Sequence, residues 1–147
     1  MRRGRDMAAY RGEQYVNEIA TKRILIIHDK HIKNAFSHHG KKVTDALRQL
    51  IVGGKRSGRM YCYNGKQYQA SAPGEPPANR SGRLANSNAY TSSSRELAVF
   101  NTAYNKGKPY PSYLEEGTKK MAARAWFEKT AIRLEPLLYG ELLRCKL

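Results

Sequence analysis

MYCYNGKQYQA, Met60 to Ala70, is the stretch that decides the fold class. Tyr61, Tyr63, Tyr68 and Ala70 alternate with polar residues around Asn64-Gly65, the dipeptide that favours a type I′ hairpin turn. This period of two follows a long stretch of helical spacing, so two antiparallel strands are expected to meet here.

On the N-terminal side, residues 14–53 carry Tyr15, Ile19, Leu25 or Ile26, and then Phe36, Val43, Leu47, Leu50 and Ile51 at intervals near three and four. That spacing predicts helix followed by helix, with a break near Gly40 in SHHGKK, because glycine is unfavourable inside a helix. Gly53 and Gly54 are expected to end the helical part. Residues 1–11 are basic and aperiodic and read as a flexible arm.

On the C-terminal side, APGEPP at residues 72–77 carries three prolines, so residues 72–79 are expected to form an extended surface loop. Residues 84–94, rich in Ser, Thr and Asn, and residues 96–104 form a second expected antiparallel pair. In the latter, Leu97, Val99 and Asn101 share one face and Ala98 and Phe100 the other. Residues 110–116 read as a short helix capped by Gly117. Residues 122–143 read as a longer one with Phe127, Ala131, Leu134 and Leu138 inward and a bend or break at Pro136. The order predicts an α+β fold in which N-terminal helices and a C-terminal helix pack on an antiparallel β-sheet, in one domain over residues 1–147.

Composition narrows the function. The 27 Lys and Arg residues against 12 Asp and Glu give a net charge of +15, which favours an acidic protein surface or a nucleic acid as partner. The basic residues run from Arg2 to Lys146 with no dominant tract, which suits a face presented to nucleic acid after assembly better than a single DNA-binding arm. Cys62 and Cys145 are too few for a disulfide scaffold and form no CxxC pair, although Cys145 is a candidate for an interchain disulfide. No apolar stretch is long enough to span a membrane, and no h-region follows Arg2, Arg3 and Arg5, so the chain is expected to stay whole and soluble.

Catalytic and metal signatures are weak. His28 and His31 lie one helical turn apart and would offer two ligands to a metal, but no third ligand has matching spacing. Adjacent Glu115 and Glu116 point about 100° apart on a helix, which does not make a catalytic carboxylate pair. The serines at 91–94 lack a GxSxG elbow, and GGKRSG at residues 53–58 lacks phosphate-loop spacing. No enzyme activity, cofactor or metal is therefore expected. A nucleic-acid reading has more substance, because Tyr61, Tyr63 and Tyr68 stand near Lys55, Arg56, Arg59 and Lys66 as an aromatic platform would beside a basic rim. Tyrosines in a half-buried strand also pack against one another.

Two longer segments carry a resemblance. APGEPPANRSGRLANS, Ala72 to Ser87, joins a Pro-rich segment to Gly-Xaa-Leu, and YPSYLEEGTKKMAARAWF, Tyr110 to Phe127, holds Glu-Xaa-Gly-Thr, Glu115 to Thr118, ahead of a helix. In order and spacing the C-terminal half resembles the small neck, head–tail joining or tail-completion proteins of long-tailed phages. Members commonly carry Arg-Pro-Phe where this chain has Ala125, Trp126 and Phe127, so no proline sets the start of its last helix.

The resemblance implies a non-enzymatic virion protein, made in the host cytoplasm, that forms a homo-oligomeric ring at the head–tail junction. The ring is sixfold, with twelvefold as the alternative. Its implied neighbours are the adaptor or portal-side connector and the tail terminator or tail tube, with the genome in its channel. Tyr113, Glu115, Glu116, Gly117 and Thr118, with Arg2, Arg3 and Arg5 of the arm, are the candidate interface. Lys55, Arg56, Arg59 and Lys66 are candidates for the channel or for sequence-independent DNA contact. The Pro-rich loop and the arm are candidates for reaching adjacent rings. The competing function is a small basic nucleic-acid-binding module.

Overall fold

The computed structural model of the chain describes residues 29–144. The basic arm, residues 14–28 of the expected helical stretch, among them His28, and Cys145 lie outside the described residues.

Residues 29–53 form one unbroken helix (α1), followed by the hairpin β1 (Met60–Tyr63) and β2 (Lys66–Gln69). Then come a single helical turn, α2 (Arg83–Asn86), the pair β3 (Asn88–Ser92) and β4 (Leu97–Asn101), and a short ribbon of β5 (Tyr104–Asn105) and β6 (Lys108–Pro109). Helices α3 (Pro111–Glu116) and α4 (Phe127–Leu143) close the described chain. The class is α+β with antiparallel pairing, as the patterning predicts. The strands form three separate two-stranded ribbons where a single sheet is expected.

The opening stretch forms the hairpin in the expected register, with Tyr61 opposite Tyr68 and Tyr63 opposite Lys66. Asn64 and Gly65 both take positive φ, 50° and 73°, as a type I′ turn requires. The ribbon β5–β6 is not foreseen by the sequence reading. Its turn uses Lys106 and Gly107 at φ of 49° and 75°, and a lysine gives little warning of a left-handed residue.

Gly40 does not break α1. A Cβ there would lie 2.5 Å from Tyr90 Cδ2 and 2.9 Å from Leu97 Cδ1, so the missing side chain makes room for the β3–β4 ribbon to seat on the helix. The Tyr90 hydroxyl then shares a hydrogen bond with Ser37 Oγ at 3.3 Å, one helical turn before the glycine. A close approach of this kind offsets the weak helix propensity of glycine.

Val43, Leu47 and Ile51, at i, i+4 and i+8 of α1, are buried together with Leu84, Ala85, Ala103 and Trp126. Val99, Tyr110, Leu114, Phe127 and Leu134 pack against this cluster from β4, α3 and α4. Trp126 is 1% exposed and meets Phe127 edge to face at 5.5 Å, so one aromatic pair holds the entry of α4 in the core. The Gly-Leu motif contributes through Gly82, at φ 76°, and buried Leu84, whose carbonyl accepts from Asn101 Nδ2 at 2.8 Å.

Two expectations for the last helix need correction. α4 starts at Phe127, five residues later than the periodicity suggests, because residues 122–126 have their backbone engaged elsewhere. It also runs through Pro136 without interruption. The carbonyl that Pro136 leaves free belongs to Ile132, whose side chain is 59% exposed, so water is near to replace the lost bond.

Candidate functional site

The segment from Tyr110 to Phe127 folds as a tight corner between the β5–β6 ribbon and α4. Pro111 opens α3 at the position where its missing amide does no harm. The helix ends at Gly117, φ 80°, whose amide donates to the Tyr113 carbonyl at 3.0 Å. A Cβ at Gly117 would lie 2.7 Å from Ala123 N and 2.8 Å from Met121 O, so both conformation and space require glycine. The chain then doubles back, with Thr118 N donating to Met121 O at 2.7 Å and Arg124 N to Leu114 O at 2.8 Å.

Glu115 closes the corner. Its Oε2 accepts from the amides of Trp126, at 2.9 Å, and Phe127, at 3.0 Å, while Oε1 accepts from Glu128 N at 3.0 Å. Trp126 is the N-cap residue of α4 and has no capping side chain of its own. A carboxylate from a neighbouring helix therefore satisfies the free amides and faces the positive end of the helix dipole. Of the expected interface residues, Glu115 is thus committed within the protomer and Gly117 is a backbone requirement. Tyr113, Glu116 and Thr118 are exposed.

Arg124, a residue the sequence reading passes over, ties this corner to the Pro-rich loop. Its Nε donates to Ser71 Oγ at 2.7 Å, its Nη2 to Ser71 O at 2.9 Å and its Nη1 to Ala122 O at 3.2 Å. Gly74 N adds a bond to Ala123 O at 3.3 Å. The loop has no helix or strand over residues 72–79, as expected, but it is fastened to its own protomer. Pro77 is buried, and the Glu75 carboxylate accepts from the Ser57 hydroxyl, the Ser57 amide and the Ala72 amide. The Ser57 hydroxyl, followed by those two amides, holds the Glu75 carboxyl below its ordinary range.

The expected channel residues do not form one cluster. Lys55, Arg56 and Arg59 lie in the connection before β1, where Arg56 Nη2 donates to the Val52 carbonyl at 3.0 Å. Lys66 stands at the turn end of the ribbon, opposite Tyr63, and Arg59 precedes its open end. On the shared face of this ribbon, Tyr61 and Tyr68 stack on each other at 5.8 Å. The Arg80 guanidinium sits 4.2 Å above the Tyr63 ring.

A cavity of about 450 Å³ opens between this ribbon, the Pro-rich loop and the corner, and three arginines, Arg80, Arg83 and Arg124, line it with Tyr61 and Tyr110. Burial pushes the Tyr110 hydroxyl up, against the opposing pull of the Arg83 and Arg80 charges. Among the described residues, no acidic side chain lines this cavity.

On another part of the surface, α1 and α4 meet through Lys42 Nζ and Glu141 Oε1 at 2.6 Å, with His38 Nδ1 at 3.1 Å from the same oxygen. Burial works to raise the Glu141 pKa, but the Lys42 hydrogen bond and the neighbouring positive charges lower it overall. His39 is buried beside this cluster, and burial lowers its pKa. It borders an apolar groove of about 430 Å³ between α1, β4 and α4, lined by Phe36, Leu97, Val99, Phe127, Ile132 and Leu138.

From Ile132 at the groove edge the apolar surface continues along α4, where Ile132, Tyr139 and Leu143 are 59%, 58% and 77% exposed. At these spacings the three fall on one stripe of the helix.

His31 is an exposed residue of α1, and no group of three or more metal-ligating side chains occurs among the described residues. Among them, no helix is long and apolar enough to cross a membrane. Compared with family models, with curated proteins and with solved structures, the chain matches none.

Proposed function

We propose that this chain is a structural subunit of the head–tail connector of a long-tailed phage. In this role it forms a homo-oligomeric ring around the DNA channel, between the portal or adaptor side of the head and the tail. The observation that carries the reading is the exposed stripe of Ile132, Tyr139 and Leu143 along α4, continuous at Ile132 with the apolar groove. Aligned apolar side chains on a long surface helix are what a subunit offers to its neighbours.

The resemblance of the Pro-rich and Glu-Xaa-Gly-Thr-like segments supports the same reading, as does the rigid corner they build. In the motif, Glu115, Gly117 and Arg124 fix the backbone from within, and Tyr113, Glu116 and Thr118 are left for a neighbour. The net charge of +15 suits a ring that surrounds DNA or stacks on acidic surfaces. The role is one of assembly, and no catalytic group is assigned.

Size-exclusion chromatography with light scattering on the full chain tests this reading. Multimers of defined size are predicted, and the double variant Ile132→Glu, Tyr139→Glu is predicted to elute as a folded monomer. A wild-type chain that stays monomeric at high concentration counts against it.

The second reading, a free nucleic-acid-binding module, draws on the three tyrosines and Arg80 that share one face of the hairpin. Its signature is tight binding of single-stranded DNA by the monomer, with affinity falling steeply as salt rises.

A further inference from the structure

The cavity between the hairpin, the Pro-rich loop and the corner has the chemistry of a binding site. Arg80, Arg83 and Arg124 line it, and among the described residues no carboxylate does. The three guanidiniums differ in how far they are engaged. Arg124 is spent on Ser71 and Ala122, and Arg83 gives Nη1 to the Tyr104 carbonyl at 3.1 Å. Arg80 holds its guanidinium carbon 4.2 Å from the centre of the Tyr63 ring. A guanidinium has five donors, so Arg80 and Arg83 keep N–H groups for a ligand, and both side chains are exposed. The rest of the lining includes Leu84, Leu114, Met121 and the rings of Tyr61 and Tyr110.

We propose that this cavity binds a short acidic segment of another protein, with a carboxylate on Arg80 and Arg83 and an adjacent apolar side chain against Tyr110, Leu84 and Met121. Three observations choose this ligand. The volume, about 450 Å³, suits a small concave site, whereas the phosphates of duplex DNA lie on a convex backbone that meets open surfaces. The hairpin rings already have partners, Tyr61 on Tyr68 and Arg80 over Tyr63, which leaves fewer ring faces for bases. A second copy of this chain is a poor source, because each copy carries a net charge of +15. A guanidinium recognises a carboxylate through two parallel hydrogen bonds, and a second one beside it adds attraction, so the pair gives orientation as well as affinity. The proposal stands on the cavity alone and holds whether or not copies of the chain form a ring.

The test is an NMR titration of the full-length protein with the blocked tetrapeptide acetyl-Glu-Phe-Asp-Leu-amide. The neutral analogue acetyl-Gln-Phe-Asn-Leu-amide and the dinucleotide pTpT serve as competitors. The acidic peptide is predicted to shift the amides of residues 80–84 and 110–114. Arg80→Glu and, separately, Arg83→Gln are predicted to weaken it at least tenfold while leaving the thermal midpoint in place. Equal binding of the neutral analogue would overturn the proposal. So would tighter binding of pTpT at the same amides, shifts confined to other regions, or full affinity in both arginine variants.

Discussion

The Glu115 carboxylate lies 3.0 Å from the amide of Phe127, twelve residues ahead in the chain, and caps a helix to which it does not belong. The same two oxygens hold the amides of Trp126 and Glu128, so the start of α4 is fixed from α3. Replacing Glu115 removes three charge-assisted hydrogen bonds and leaves partly buried amides unpaired. Glu115→Ala is predicted to destabilise the fold by about 2 kcal/mol, the upper range for loss of a helix cap. Glu115→Gln, which keeps one oxygen, should lie between, and Glu116→Gln should fall within about 0.5 kcal/mol of wild type. Urea midpoints of the three variants check the ordering.

Two glycines, one inside α1 and one ending α3, are predicted to resist replacement by alanine. Gly40→Ala would normally favour a helix interior by roughly 1 kcal/mol. Here the new methyl would lie 2.5 Å from the Tyr90 ring, so a net destabilisation of about 1–3 kcal/mol is predicted from overpacking. Gly117→Ala combines a φ of 80° with a 2.7 Å approach to Ala123 N and is predicted to lose about 2–3 kcal/mol. Gly53→Ala meets nothing within 4 Å and serves as the tolerated control. Thermal unfolding of the three proteins separates the cases.

His39 makes stability depend on pH. Its pKa is lowered in the folded state by burial, against the attraction of Glu141 and with the repulsion of Lys42 and His38. The unfolded chain therefore binds the proton more readily, and stability must rise with pH through this window. The contribution is fully present above the ordinary value of 6.5 and declines as pH falls below it, by at most about 1.4 kcal/mol per pH unit for one proton. The carboxylates Glu141 and Glu75 have lowered pKa values, so their contribution is lost in a separate window, below their ordinary 4.5. His39→Leu is predicted to flatten the stability profile just below pH 6.5, while the lower carboxylate window persists through Glu75 and the Lys42 partner of Glu141. Urea titrations across that range measure it.

Local chemistry was legible in the sequence wherever neighbours in the chain decide the structure. Asn64-Gly65 specifies its hairpin, Val43, Leu47 and Ile51 mark the inner face of α1, and Gly117 marks the end of α3. What stayed hidden depends on residues brought from far away. Gly40 reads as a helix breaker until Tyr90 and Leu97 are seated over it. The entry of α4 reads as residue 122 until Glu115 claims the amides of residues 126–128, and the division into three ribbons has no periodic signature. For the candidate site, the spacing of Tyr113 to Thr118 pointed to a corner, but not to which carboxylate faces inward. The arginine-lined cavity was illegible because Arg80 and Arg83 lie some forty residues before Arg124 and are brought beside it by the packing of Leu84 with Leu114 and Trp126 and by the bonds of Arg124 to Ser71.

The proposed role requires copies of this chain to close into a ring around DNA, and electron microscopy of the purified full chain at high concentration is the decisive measurement. Class averages are predicted to show a closed ring with sixfold symmetry, or twelvefold as the alternative, and a central opening wide enough for a DNA duplex. Open filaments, isolated dimers, or single particles of 16.7 kDa at every concentration would contradict it.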